Sequence, residues 1–270
     1  MLALKRVSKT FHVGADRVDA IRGLDLCLAE GDFLTIIGSN GAGKSTLLNL
    51  IAGTVLPTSG RITLDDTDLT KIPAYKRARF IGRIVQNPLA GTAPGMTVAE
   101  NMALAMKRHG RGMRPALPRK LSHRFGEMLA SLDIGLESRL NTAVSLLSGG
   151  ERQALAVLMA TLVSPQLLLL DEHTAALDPS NAAMIVRLTQ SFANRSGLAT
   201  LMVTHNMEQA IDVGNRLIMM HQGEIIHQLE GREKRCATVD ELVNLFTQRN
   251  VADDELLLER IPQAVGVIAA

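Results

Sequence analysis

Five short apolar runs punctuate the chain: Phe33 to Ile37, Ile81 to Val85, Leu167 to Leu170, Thr200 to Thr204 and Leu217 to Met220. They lack the alternation of a half-exposed strand, and helical stretches such as Ser45 to Ala52 and Pro179 to Phe192 separate some of them. Apolar strands interleaved with helices predict a parallel sheet covered on both faces. The first 30 residues differ: they alternate and turn at His12-Val13-Gly14-Ala15-Asp16, which predicts an antiparallel hairpin beside the main sheet. The stretch from about 87 to 154 opens with Pro88, Gly91, Pro94 and Gly95 and continues as helical pattern from Val98. It reads as a helical insertion in the α/β core. Residues 1–240 are expected to form one domain and 241–270 a helical tail, with a short helix from Asp254 to Arg260 ahead of Pro262.

Composition narrows the function. The longest strictly apolar run is the seven residues Ala154 to Ala160, against the roughly 20 that a spanning helix needs, so no membrane crossing is expected. The start, Met1 to Val7, alternates like a strand and has no apolar signal core. Cys27 and Cys236 stand far apart and form no metal-type pair, which fits a reducing cytosol. With 29 Lys+Arg against 27 Asp+Glu, and 6 Phe, 1 Tyr and no Trp, neither net charge nor base stacking argues for nucleic acid. From Asn101 to Gly126 there are seven Lys/Arg and no acid. This is either a solvated face or a contact for anionic headgroups or an acidic partner.

The strongest chemical signal is Gly38-Ser39-Asn40-Gly41-Ala42-Gly43-Lys44-Ser45, followed by Thr46. It has the form G-x-x-x-x-G-K-[ST] between a strand and an apolar helix, the setting a phosphate cradle needs. Its glycines let successive N–H groups turn inward, and the helix start adds positive potential. Lys44 would reach the β- and γ-phosphates and Ser45 would ligate Mg²⁺. Four leucines then lead into Asp171 and Glu172 at the C-terminal end of a strand, where such sheets bind ligands. Asp171 would hold Mg²⁺, and Glu172 could polarise an attacking water. Ser148-Gly149-Gly150-Glu151 before an apolar helical pattern is a capping box.

Taken in order, Gly38 to Ser45, Leu147-Ser148-Gly149-Gly150-Glu151 and Leu167 to Glu172 resemble the ATPase subunit of ATP-binding cassette (ABC) transporters over about residues 1–240. The resemblance implies an α/β fold: a P-loop NTPase core with a mostly parallel sheet, an N-terminal antiparallel β subdomain and an inserted helical subdomain. It implies ATP and Mg²⁺ as ligands, and a head-to-tail dimer in which Ser148, Gly149, Gly150 and Glu151 face the γ-phosphate held by a second copy. It implies roles for Phe11 on adenine, Gln86 at Mg²⁺ and the attacking water, His205 at the γ-phosphate and Asp178 at the dimer interface. It also implies transmembrane permease subunits, a place on the cytoplasmic face of the membrane and, indirectly, a solute-binding protein. The stretches Asp171 to Pro179 and Gly91 to Thr97 look similar to bacterial importers associated with amino acids. Three positions depart from the usual pattern: Glu151 for Gln, His173 for Pro and Asn206 for Asp. A soluble ATPase of the same superfamily acting on ribosomes or DNA, or a P-loop small-molecule kinase, are the alternatives. A single cassette with an insertion of about 65 residues fits the transporter better.

Overall fold

The computed structural model describes residues 1–14, 16–106 and 119–248. Ala15 in the hairpin turn, residues 107–118 of the basic stretch, and the expected helix from Asp254 to Arg260 lie outside the described residues.

The chain opens with a hairpin, β1 (Leu2–Val13) and β2 (Asp16–Leu28), and enters the main sheet as β3 (Phe33–Gly38), followed by α1 (Lys44–Ala52). It returns to the hairpin through β4 (Ser59–Leu64) and β5 (Thr67–Asp68), then passes α2 (Ala74–Arg77) to β6 (Ile81–Ile84). The insertion carries α3 (Val98–Ala105), α4 (Arg119–Ala130) and α5 (Gly149–Thr161). The remainder is β7 (Leu167–Asp171), α6 (Pro179–Ser196), β8 (Ala199–Val203), α7 (Met207–Asp212), β9 (Arg216–His221), β10 (Glu224–Glu230), α8 (Gly231–Cys236) and α9 (Val239–Gln248).

Two sheets result. The first is antiparallel, in the order β2-β1-β4-β5, and the second runs β10-β9-β3-β8-β7-β6. Every pairing in the second is parallel except β9 with antiparallel β10 at the edge. This is the expected α/β class, with its hairpin and helical insertion. β7 shows why its leucines do not alternate with polar residues. Leu167 and Leu169 pack with α1 and the antiparallel sheet, whereas Leu168 and Leu170 pack with the helical side. Both faces are covered, so a period of two leaves no polar position. A third cluster seats Leu242 and Phe246 of α9 against Ile37, Leu217 and Met219 of the sheet and Met207 of α7.

Local signals set the helix boundaries. Thr97 and Glu100 form a reciprocal capping box at the start of α3, as Ser148 and Glu151 do for α5. The C-terminal end of α1 is closed by Arg77, which is fully buried and donates to the carbonyls of Leu50 at 2.7 Å and Ile51 at 2.8 Å. A cation at the negative end of a helix is well placed.

Candidate active site

The turn between β3 and α1 is built by close backbone approach. A Cβ on Gly38 would stand 2.3 Å from the carbonyl oxygen of Met220, so only glycine lets the end of β3 lie against β9. Gly43 sits at φ 97° as the N-cap of α1, and a Cβ there would meet Ala20 O at 2.5 Å. Gly43 has no side chain to cap the start of α1, and a helix N-terminus there is suited to a phosphate. Lys44 is buried; its Nζ donates to Gly38 O at 2.6 Å and Ser39 O at 2.8 Å.

This loop forms one side of a cavity of about 490 Å³. Asn40, Gly41, Ala42, Gly43, Lys44, Ser45 and Thr46 line it, as do Glu172 and His205 from two other strand ends. Here the fold brings together residues that are far apart in the chain, because β3, β8 and β7 are parallel neighbours and all end on this side.

Glu172 follows β7 at φ 47°, in the left-handed region that a non-glycine residue enters at a cost. Its N–H donates to Val203 O at 3.1 Å. Its Oε1 lies 2.5 Å from His205 Nε2. The hydrogen bond from His205 holds the carboxyl below the usual range, against the effect of burial, and the charges of His205 and Lys44 add to the lowering. Asp171, one residue earlier, behaves oppositely. Burial pushes its carboxyl up, opposed by Arg83, whose Nη2 is 3.3 Å from Asp171 Oδ2. The residues flanking His205 are tied down by a small network. Thr204 Oγ1 donates to Gln209 Oε1 at 2.6 Å, and Gln209 Nε2 donates to Thr174 Oγ1 at 3.4 Å, tying the turn after β8 to the loop after Glu172.

Other expected residues lie off the cavity wall. Ser148 and Gly149 are exposed at the start of α5, and Gly150 is buried so tightly that a Cβ would meet Asn181 Oδ1 at 2.5 Å. Asp178 is exposed and caps α6, accepting from Asn181 N at 3.1 Å. The start of α5 and the Asp178 loop thus abut through Asn181. Gln86 is exposed just beyond β6. Phe11 is half-buried with Lys9 Nζ 5.0 Å from its ring centre; its cross-strand partner Val18, not Phe11, reaches the wall.

Two of the three departures from the usual pattern, Glu151 and Asn206, have local explanations. Glu151 keeps the capping box and gains an ion pair with Arg139 at 2.7 Å, which Gln could not make. Asn206 caps α7 by accepting from Gln209 N at 2.8 Å, a task Asp shares. His173 is buried, and burial pushes its imidazole down to about 4, so it is neutral at physiological pH.

The cavity also has a wall that residue patterns did not announce: Arg17, Asp19 and Arg22 of β2, and Gln222 in the turn between β9 and β10. Strand alternation does not mark this wall, since Arg17, Val18, Asp19, Ala20 and Arg22 all line it. That this stretch meets the phosphate loop follows only from the contact of Ala20 with Gly43 and Gly223.

The description "ABC transporter" fits residues 21–175, more than half of the chain. The "Tyrosine transport ATP-binding protein" of Clostridioides difficile (strain R20291) is 42% identical over 250 residues, covering 91% of this chain and 98% of that protein. The chain belongs to the ABC transporter family. A second relative of this ABC ATPase, the "Methionine import ATP-binding protein MetN" of Sodalis glossinidius (strain morsitans), is 34% identical over 232 residues. That match covers 84% of the cassette but only 65% of the longer relative. Among solved structures, the ATP-binding cassette MJ0796, dimeric in a post-hydrolysis state with ADP and Pi, superposes with a TM-score of 0.73 at 29% identity. The match covers 85% of this chain and 98% of that one. The cassette hydrolyses ATP, and among its described residues no helix is long and apolar enough to cross a membrane.

Proposed function

We propose that the cassette binds MgATP in the 490 Å³ cavity and uses its hydrolysis to drive a membrane importer for amino acids or similar small solutes. The observation that carries the chemistry is the convergence of Lys44, Glu172 and His205 on one cavity from three parallel strand ends. Lys44 would leave the carbonyls of Gly38 and Ser39 for the β- and γ-phosphates, while the loop N–H groups hold the remaining oxygens. Glu172 orients water for in-line attack on the γ-phosphorus and takes its proton as the bond to the bridging oxygen breaks. His205 donates to the developing charge, a task for positioned dipoles and cations rather than covalent chemistry.

The residues fit Mg²⁺. A hard cation of this size takes oxygen ligands, keeps several waters and shares phosphate oxygens. The Ser45 hydroxyl on the wall and the half-buried Asp171 carboxylate are such donors. Held by these residues, the ion would supply charge neutralisation at the phosphates. Gln86 would report the nucleotide state to the membrane partner from its exposed place after β6. Phe11 would back the adenine from behind Val18.

Ser148, Gly149, Gly150, Glu151 and Asp178 stand away from this cavity, and Ser148, Gly149 and Asp178 are exposed. That placement supports a head-to-tail dimer in which each copy completes the other's site. The partners would be two permease subunits and, through them, a solute-binding protein, with the cassette on the cytoplasmic face of the membrane. Relatives are named for tyrosine transport and for methionine import, which favours an amino-acid cargo, and another is named for the import of aliphatic sulfonates, a similar small solute.

The test is a tagged Glu172→Gln chain, isolated from native membranes in mild detergent with ATP. It should bind ATP, turn over none, dimerise and retain a multi-spanning protein. Normal hydrolysis would reject the role of Glu172. Recovery on ribosomes without a membrane partner would reject the importer.

A further inference from the structure

β6 is a buried strand with one ionic residue in it. Ile81, Gly82 and Ile84 are buried, whereas Arg83 is 22% exposed in its side chain. Register explains where Arg83 points. It pairs with Leu169 of β7, so it shares a face with Leu169 and, two residues on, with Asp171. That face packs on α1, the helix that begins at Lys44. A guanidinium placed there is costly unless paired. Its pair is Asp171, 3.3 Å away; Arg83 Nε is buried with no partner. The other charges felt by Asp171 are Glu172 and Lys44.

Arg83 thus holds the carboxylate that the MgATP reading assigns to the metal. We infer that Arg83 is a positioning residue, a built-in counter-ion to Asp171 that competes with Mg²⁺ and sets how strongly nucleotide binding depends on the metal. This rests on the MgATP reading above. The reasoning is electrostatic. With Arg83 present, part of the charge on Asp171 is already neutralised, so the metal gains less and metal-free nucleotide is repelled less. Without it, Asp171 is a bare carboxylate beside the phosphates, which weakens metal-free nucleotide and strengthens the hold on Mg²⁺. Both changes raise the ratio of the two affinities.

The experiment is calorimetric titration of the full chain with a non-hydrolysable ATP analogue, in excess Mg²⁺ and in EDTA. Wild type, Arg83→Met and Arg83→Lys are compared. Met matches the apolar stem without charge and Lys keeps the charge, so their contrast isolates electrostatics from packing. The ratio of affinities with and without Mg²⁺ should rise about tenfold in Arg83→Met and stay near wild type in Arg83→Lys. An unchanged ratio in Arg83→Met would overturn the inference. So would equal weakening under both conditions, which is the mark of damaged packing. A wild-type chain whose affinity ignores Mg²⁺ would overturn the MgATP reading itself.

Discussion

Glu172 Oε1 and His205 Nε2, 2.5 Å apart, join the ends of two neighbouring parallel strands. The contact does two things at once. It lowers the pKa of the Glu172 carboxyl, because its hydrogen bond is the largest influence on that group. It also holds the side chain of a residue whose φ of 47° costs about 1–3 kcal/mol to maintain. Strain kept in place by a functional contact marks a site built for position rather than for stability.

Removing His205 should therefore change chemistry more than binding. In His205→Ala, turnover should fall by about 10²–10³, the usual cost of losing one charge-stabilising donor, with ATP affinity much less affected. The residual activity carries a second signature. Glu172 must be ionised to accept a proton, and without His205 its carboxyl moves back up towards the ordinary range. The acid limb of the pH–rate profile should then shift to higher pH than in wild type. Steady-state rates across pH and equilibrium binding test both parts; an unmoved acid limb would deny the coupling.

Lys44 should behave in the opposite way. Its ammonium lies against the carbonyls of Gly38 and Ser39, so the same loop holds it ready for phosphate. Lys44→Ala removes charge-assisted contacts worth about 1.5–3 kcal/mol each. Nucleotide affinity should fall by roughly tenfold to a hundredfold, while the circular dichroism spectrum stays that of the wild type. Unaltered affinity in a titration would remove Lys44 from the phosphate site.

Most of this site was legible in the residues because its parts are local. The loop from Gly38 to Ser45 needs only a preceding strand and a following helix, and the four leucines before Asp171 need only two covered faces. The capping box at Ser148 is equally local, and the same pattern at Thr97 and Glu100 could have been read too. What escaped depends on distant pieces meeting. Arg17, Asp19 and Arg22 reach the cavity because β2 crosses the phosphate loop at Gly43. Arg83 meets Asp171 only through the register of β6 on β7. β10, an edge strand of half-exposed and exposed residues from Glu224 to Glu230, has no apolar run to announce it.

Arg77 gives a stability test separate from catalysis. It is fully buried, burial pushes it down to about 10, and it stays charged at neutral pH. Its donors serve the carbonyls of Ile72, Leu50 and Ile51, the last two in the final turn of α1. Arg77→Met removes those donors and leaves buried carbonyls unserved, at a cost of about 3 kcal/mol. The urea midpoint should drop accordingly. If the midpoint holds, the carbonyls find other donors and the cap is dispensable.

Asp32 predicts the pH dependence of the fold itself. It sits in the turn before β3 and accepts from Asn215 Nδ2 at 3.0 Å, Ala29 N at 2.9 Å and Arg216 Nη1 at 3.0 Å. Burial alone would raise its carboxyl, but these hydrogen bonds and the charge of Arg216 outweigh it, so the net movement is downward. A carboxyl lowered on folding means that the native state binds fewer protons than the unfolded chain in the acid range. Its contribution is complete above the unfolded value near 3.8 and is lost as pH falls through the lowered native value. Asp32→Asn should then be less stable than wild type at neutral pH. The two chains should converge as pH drops below about 4. Urea unfolding at pH 7 and at successively lower pH measures the gap, and a gap that stays constant into acid would show that the charge of Asp32 contributes nothing.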